Sequence, residues 1–83
     1  MKLRTEDVTW QEIDGELVIL DLAQSSYLTT NKTGAYLANL LLEEQTEESL
    51  TAALAAEYEL STESAATDVR AFLEQLREQA LLA

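Results

Sequence analysis

The chain has 83 residues, 47% of them hydrophobic, with 16 acidic against five basic side chains and a formal charge of −11. That length allows one domain, residues 1–83, with one modest core, and the apolar fraction argues against disorder. With neither Cys nor His there is no disulfide, no thiolate metal site and no imidazole base, and no apolar run approaches the roughly 18 residues of a membrane span.

The opening MKLRTEDVTW has Lys2 and Arg4 but no apolar stretch behind them, so it does not read as a signal peptide and a cytoplasmic protein is expected. Charge is unevenly placed. No Lys or Arg occurs from Thr33 to Val69, while Glu43, Glu44, Glu47, Glu48, Glu57, Glu59, Glu63 and Asp68 all fall there. Such a field repels phosphate backbones and attracts basic partners, and the same acids also keep a small domain in solution.

In chain order, Val8 and Trp10 fall on one face of an extended segment and Thr9 and Gln11 on the other. Asp14-Gly15 predicts a two-residue hairpin turn, because a type I′ turn needs φ > 0 at both positions. Glu16 to Leu22 forms a second strand. With Leu17, Val18, Ile19 and Leu20 it is apolar on both faces, which predicts a middle strand covered on at least one face by helices. Ala23 to Ser25 turns the chain into a third, shorter strand, Ser26 to Thr30. No later strand follows, so this meander leaves two edges open.

Asn31 or Thr30 caps a first helix, in which Leu37, Leu40 and Leu41 share a face with Thr33 or Gly34. Glycine inside a helix costs about 1 kcal/mol against Ala; close packing of the helix start on the sheet, or simple tolerance, accounts for Gly34. Thr46 caps a second helix with Glu47 and Glu48 in its positive first turn and a buried stripe of Leu50, Ala53, Leu54 and Tyr58. Ser61 or Thr62 caps a third, with Glu63 in the first turn and Val69, Phe72, Leu73 and Leu76 at helical spacing. Ala80 to Leu82 closes the chain as an apolar tail. The expected fold is α+β and winged helix-turn-helix-like: a three-stranded antiparallel sheet followed by three helices, β-β-β-α-α-α.

That order invites a DNA-binding reading, which the side chains oppose. A recognition helix needs Lys, Arg, Asn or Gln aimed at bases and phosphates. The second helix offers Glu47, Glu48, Thr51 and Glu57, and the third offers Arg70 and Arg77 among acids. Glu48-Ser49-Leu50 at a helix start invites comparison with acyl carrier proteins, but their attachment serine follows an aspartate, and Ser49 is more simply a capping residue. Carboxylates on helix faces and turns are solvated charges rather than a desolvated acid–base pair. No catalytic residue, metal or cofactor is expected.

The third strand remains. Edges are usually blunted by Lys, Pro or a bulge, and SYLTT has none of these. An edge left available accepts a partner's extended segment as an added strand. A third helix of about 18 residues, roughly 27 Å long, can wall the groove beside it. The candidate peptide-binding residues are Ser26, Tyr27, Leu28, Thr29 and Thr30 on the strand, with Asp68, Val69, Phe72, Gln75 and Leu76 on the helix. Val69 and Leu76 fit core packing equally well, and Asp68 and Glu74 or Gln75 would hold polar or basic residues of the guest at the rim.

Three segments carry a family likeness: W-x₃-D-G-E-L-V-I-L-D-L from Trp10 to Leu22, S-Y-L-x₂-N-x-T-G-A-x-L-x₂-L-L from Ser26 to Leu41, and D-V-x₂-F-L-x₂-L from Asp68 to Leu76. In combination they resemble the PqqD-like domains, precursor-peptide recognition elements of ribosomally made, post-translationally modified peptide pathways. The resemblance implies a non-catalytic adaptor. It would bind the leader of a precursor peptide as a strand between the third strand and the third helix and deliver it to a modifying enzyme. As a free-standing acidic domain the chain looks most like the discrete recognition subunit of a lasso-peptide cluster. The implied partners are the leader peptide and a leader peptidase, with a cyclase acting downstream; no nucleic acid or membrane is involved, and the protein is expected to be a monomer. The alternatives are a peptide chaperone for a radical SAM enzyme in pyrroloquinoline quinone synthesis, or a generic acidic interaction module. Many relatives place Leu before the Asn that opens the first helix, where Thr30 stands here.

Overall fold

In the computed structural model, which describes residues 1–83, β1 (Val8–Ile13) turns back on β2 (Glu16–Asp21) through Asp14 at φ 53° and Gly15 at φ 82°. These left-handed values suit a primed hairpin turn, whose twist matches that of the flanking strands. β3 (Ser26–Thr30) completes an antiparallel sheet in the order β1-β2-β3, and α1 (Lys32–Leu40), α2 (Glu47–Glu57) and α3 (Thr62–Glu78) follow. The α+β order read from the sequence is the observed one.

The register pairs Val8 with Asp21, Trp10 with Ile19, Ile19 with Leu28 and Leu17 with Thr30, so these side chains share one face. On that face Val8, Leu17, Ile19, Asp21, Leu28 and Thr30 are buried. On the other, Val18 is half-buried and Leu20 and Tyr27 are exposed. The helices therefore cover a single face of the sheet, although β2 is apolar on both. β2 also stops at Asp21, one residue short of the expected end. The Asp21 carboxylate accepts the N–H groups of Ala23 and Gln24 at 3.1 and 3.2 Å, which turns the chain there and leaves Leu22 exposed.

All three helices start on a side-chain cap: Asn31 accepts from Gly34 N–H, Thr46 and Ser49 form a reciprocal capping box, and Ser61 accepts from Ser64 N–H. α1 buries Gly34, Ala35, Leu37 and Ala38, followed by Leu41, while Leu40 is only half-buried. Small Ala35 and Ala38 lie on the packed face, where the sequence pattern suggested Leu40. α2 buries Leu50, Thr51 and Leu54. Tyr58, expected in its buried stripe, instead caps the helix and packs edge-on against Tyr36 with ring centroids 5.8 Å apart. Thr51 takes an inner position because its hydroxyl donates to Glu47 O at 2.8 Å. α3 buries Ala65, Val69, Phe72, Leu73 and Leu76.

Close packing accounts for Gly34. A Cβ at that position would lie 2.8 Å from Thr30 Cβ and 3.3 Å from Phe72 Cε1. Both termini are tied to each other and to the end of α1, and neither pairs with β3. Leu3 N–H donates to Leu41 O at 2.8 Å, Arg4 N–H to Leu81 O at 2.7 Å, and Ala83 N–H to Lys2 O at 2.7 Å. From this arm Arg4 reaches Asp21, Nη2 to Oδ2 at 2.5 Å, and also donates to Ala80 O at 3.0 Å. Burial by itself pushes the Asp21 carboxyl up, but the Gln24 N–H, the Arg4 guanidinium and the Ala23 N–H together outweigh it and hold the pKa below its ordinary 3.8.

Two outcomes follow. Gly34→Ala, which helix propensity alone would make stabilising, should destabilise by about 1–3 kcal/mol in urea unfolding, because Thr30 Cβ has no room to yield. Asp21 is depressed in the folded state, so its contribution is complete above the unfolded value and is lost as pH falls through the folded one. The stability gap between wild type and Asp21→Asn should hold steady from neutrality down to the ordinary carboxylate range and narrow below it. A gap unchanged through the acid limb would contradict this.

Candidate functional site

β3 hydrogen-bonds β2 along one side, and no backbone hydrogen bond from Ser26–Thr30 runs outside the sheet. The N-terminal arm pairs with the C-terminal tail through Leu3 and Leu82, not with β3. One row of β3 amides and carbonyls therefore faces outward.

α3 runs antiparallel to that strand. At the turn end, Gln24 Nε2 donates to Gln79 O at 3.5 Å. At the other end, Phe72 closes on Gly34, which itself sits against Thr30. Phe72 to Gln79 rises about 10 Å along the helix, close to the roughly 13 Å from Ser26 to Thr30. Between these ties α3 packs on α2, while β3 packs on β2 and α1. The free strand edge and this stretch of α3 are thus of similar length and tied together at both ends.

Where β3 hands over to α1 the groove deepens into a cleft of about 230 Å³. Asn31, Thr33, Gly34 and Leu37 form one wall, and Asp68, Ala71, Phe72 and Gln75 the other. Leu37, Phe72 and Ala71 make its apolar surface; Asp68 and Gln75 are exposed at the rim. Asn31 Oδ1 is already committed, accepting from Gly34 N–H and from Thr33 Oγ1, both at 2.9 Å. A peptide lying here meets one carboxylate and several uncharged polar groups around an apolar floor.

Of the residues singled out in the sequence, Asp68, Phe72 and Gln75 line the cleft together. Thr30 does not line it but is buried against Gly34, with Oγ1 donating to Leu17 O at 3.2 Å, and Leu28 is buried two residues before it. Ser26 is half-buried; Tyr27 and Thr29 are exposed on the uncovered face of the sheet. Val69 and Leu76, each 0% exposed, belong to the core and have no surface to offer. The α1 wall was not foreseen. Asn31 and Gly34 read as a cap and a helix irregularity, and the signal that linked them was the N-x-T-G run inside the family pattern.

A second cavity, about 310 Å³, lies on the opposite flank of α3, between Glu47, Glu48, Thr51 and Ala52 of α2 and Thr62, Ala66 and Arg70 of α3. It is larger but has no strand edge beside it. Arg70 Nε lies 3.6 Å from Glu47 Oε1, an exposed pair of little energetic weight. Asp21 is held low and engaged by Arg4, the reverse of what a general acid at neutral pH needs.

Similarity to known proteins follows the same lines. A family model described as Coenzyme PQQ synthesis protein D (PqqD) matches residues 16–82. No curated protein matches the chain. Among solved structures, one described as "TbiB1 in Complex with the TbiA(beta) Leader Peptide" superposes with a TM-score of 0.85 at 32% identity, covering 99% of this chain and 94% of that one. Another, "Lasso peptide synthetase B1 complexed with the leader peptide", gives 0.80 at 26% identity, covering 96% and 93%. With a match running from the start of β2 to the C-terminal tail, the chain belongs to the PqqD family.

Proposed function

We propose that this protein is a non-catalytic adaptor acting in the cytoplasm. It takes the leader region of a ribosomally synthesised precursor peptide as an added strand between β3 and α3 and presents it to the leader peptidase of a lasso-peptide pathway. The unpaired edge of β3 beside the cleft of Phe72, Asp68 and Gln75 carries this reading. The two similar structures, each a complex with a leader peptide, support it. No membrane helix stands in its way, since none is long and apolar enough to cross a bilayer.

Energetics set what the peptide must bring. About four or five ladder bonds contribute roughly 0.5–1.5 kcal/mol each before the guest's ordering cost. Submicromolar binding needs about −8 kcal/mol or better. One or two guest side chains buried against Phe72 and the exposed Ala71, at roughly 1.5–3 kcal/mol each, supply the difference. The family description names coenzyme PQQ synthesis, which favours a second reading: the same groove serving a radical SAM enzyme instead of a peptidase. Co-elution with one enzyme or the other separates the two.

Strand addition has a signature on the peptide side. N-methylation along the TbiA(beta) leader should weaken binding at every second residue, by about two- to tenfold per lost bond, and spare the residues between. Ala71→Trp, which fills the cleft from an exposed position, should abolish binding, while Glu47→Lys with Glu48→Lys on the far flank leaves it within about twofold. Binding lost on the Glu variants and kept in Ala71→Trp would replace the groove with an acidic docking face.

A further inference from the structure

We propose that Tyr27 is a specificity-determining residue that reads one bulky apolar side chain of the bound peptide on the uncovered face of the sheet, away from the cleft. This rests on the strand-addition reading above.

A strand presents successive side chains to opposite faces. On β3, Ser26, Leu28 and Thr30 point to the covered face, and Tyr27 and Thr29 to the open one, since Tyr27 pairs with exposed Leu20 and Thr29 with Val18. A peptide added to this edge divides its side chains in the same way. Half meet the cleft; the other half lie over a face that no helix covers. There the neighbours within reach are Tyr27 and Thr29, because directly opposed side chains across a pair of strands are the ones that touch.

Both outer margins of that face carry an open apolar side chain: β1 has Ile13, 52% exposed, beside polar Thr9 and Gln11, and β3 has Tyr27, at 68% exposed the most open large hydrophobic side chain of the molecule. Leu20, 37% exposed, stands directly behind it. Of these, Tyr27 with Leu20 behind it is the apolar pair that borders the unpaired edge, so a strand added there covers it from that side. A guest residue opposite Tyr27 continues the row Thr9–Leu20–Tyr27 by one more strand. An aromatic or β-branched residue there shields both rings and aliphatic surface, and its neighbour two positions on, opposite Thr29, can remain polar. The peptide class is thus an extended segment with an apolar residue on each face, one toward Phe72 and one toward Tyr27.

The test uses the fluorescein-labelled TbiA(beta) leader, titrated into wild type and Tyr27→Thr. Threonine keeps the β-propensity of an exposed position, and an unchanged melting temperature verifies the fold. Tyr27→Thr should weaken binding about two- to fivefold. In a scan of the peptide with threonine, one position should cost affinity in wild type and nothing further in the variant, while cleft-side positions cost the same in both. Equal affinity of both proteins, with the alternating N-methyl pattern intact, overturns the role of Tyr27 alone. Absence of that alternation, or no binding of the peptide to wild type, overturns strand addition and this inference with it. Wild-type self-association that Tyr27→Thr removes would assign the patch to a second copy and likewise overturn the proposal.

Discussion

The junction of Gly34, Thr30 and Phe72 decides where three elements meet. Thr30 ends β3, Gly34 opens α1, and Phe72 comes from the middle of α3, and the missing side chain at Gly34 lets the other two approach. The cleft of Leu37, Ala71 and Phe72 lies at this corner, with Gly34 itself in its wall. A helix-favouring residue at position 34 would gain local propensity and lose the corner. Tertiary closeness outweighs propensity here.

The other end of the groove is held by charge. Arg4 leaves the N-terminal arm to reach the buried Asp21 carboxylate and Ala80 O, Asp21 takes the backbone of the β2–β3 turn, and Gln24 from that turn reaches Gln79 at the end of α3. Removing one partner from a pair buried on the Asp21 side would strand the other without hydration. The same network explains why β3 keeps an unpaired edge: the arm that might have covered it is spent on Leu41, Leu81 and Ala83. Open edges are usually a hazard; here the surrounding contacts preserve one.

Much of this was legible beforehand. Asp14-Gly15, the three caps and the hydrophobic spacing of α3 act locally, so the order of elements and the fold class could be read from neighbouring residues. What failed depended on contacts distant in the chain. Leu40 looked more buried than Ala35 and Ala38 because size, not closeness of backbones, dominates a helical pattern. The apolar run of β2 implied cover on at least one face, and periodicity alone left open whether its second apolar face, with Val18 and Leu20, was packed. Val69 and Leu76 fitted the groove on helical spacing, and only the position of α2 turns them inward. The α1 wall of the cleft was hidden because Asn31 and Gly34 have sufficient local explanations.

The measurement that bears most directly on the free edge is amide hydrogen exchange across β3 with and without bound leader peptide. Alternate amides of Ser26–Thr30 should gain protection on binding, together with the neighbouring turns of α3, while the outer edge of β1 exchanges as before. Protection appearing between α2 and α3, or along β1, with β3 unchanged would contradict the account.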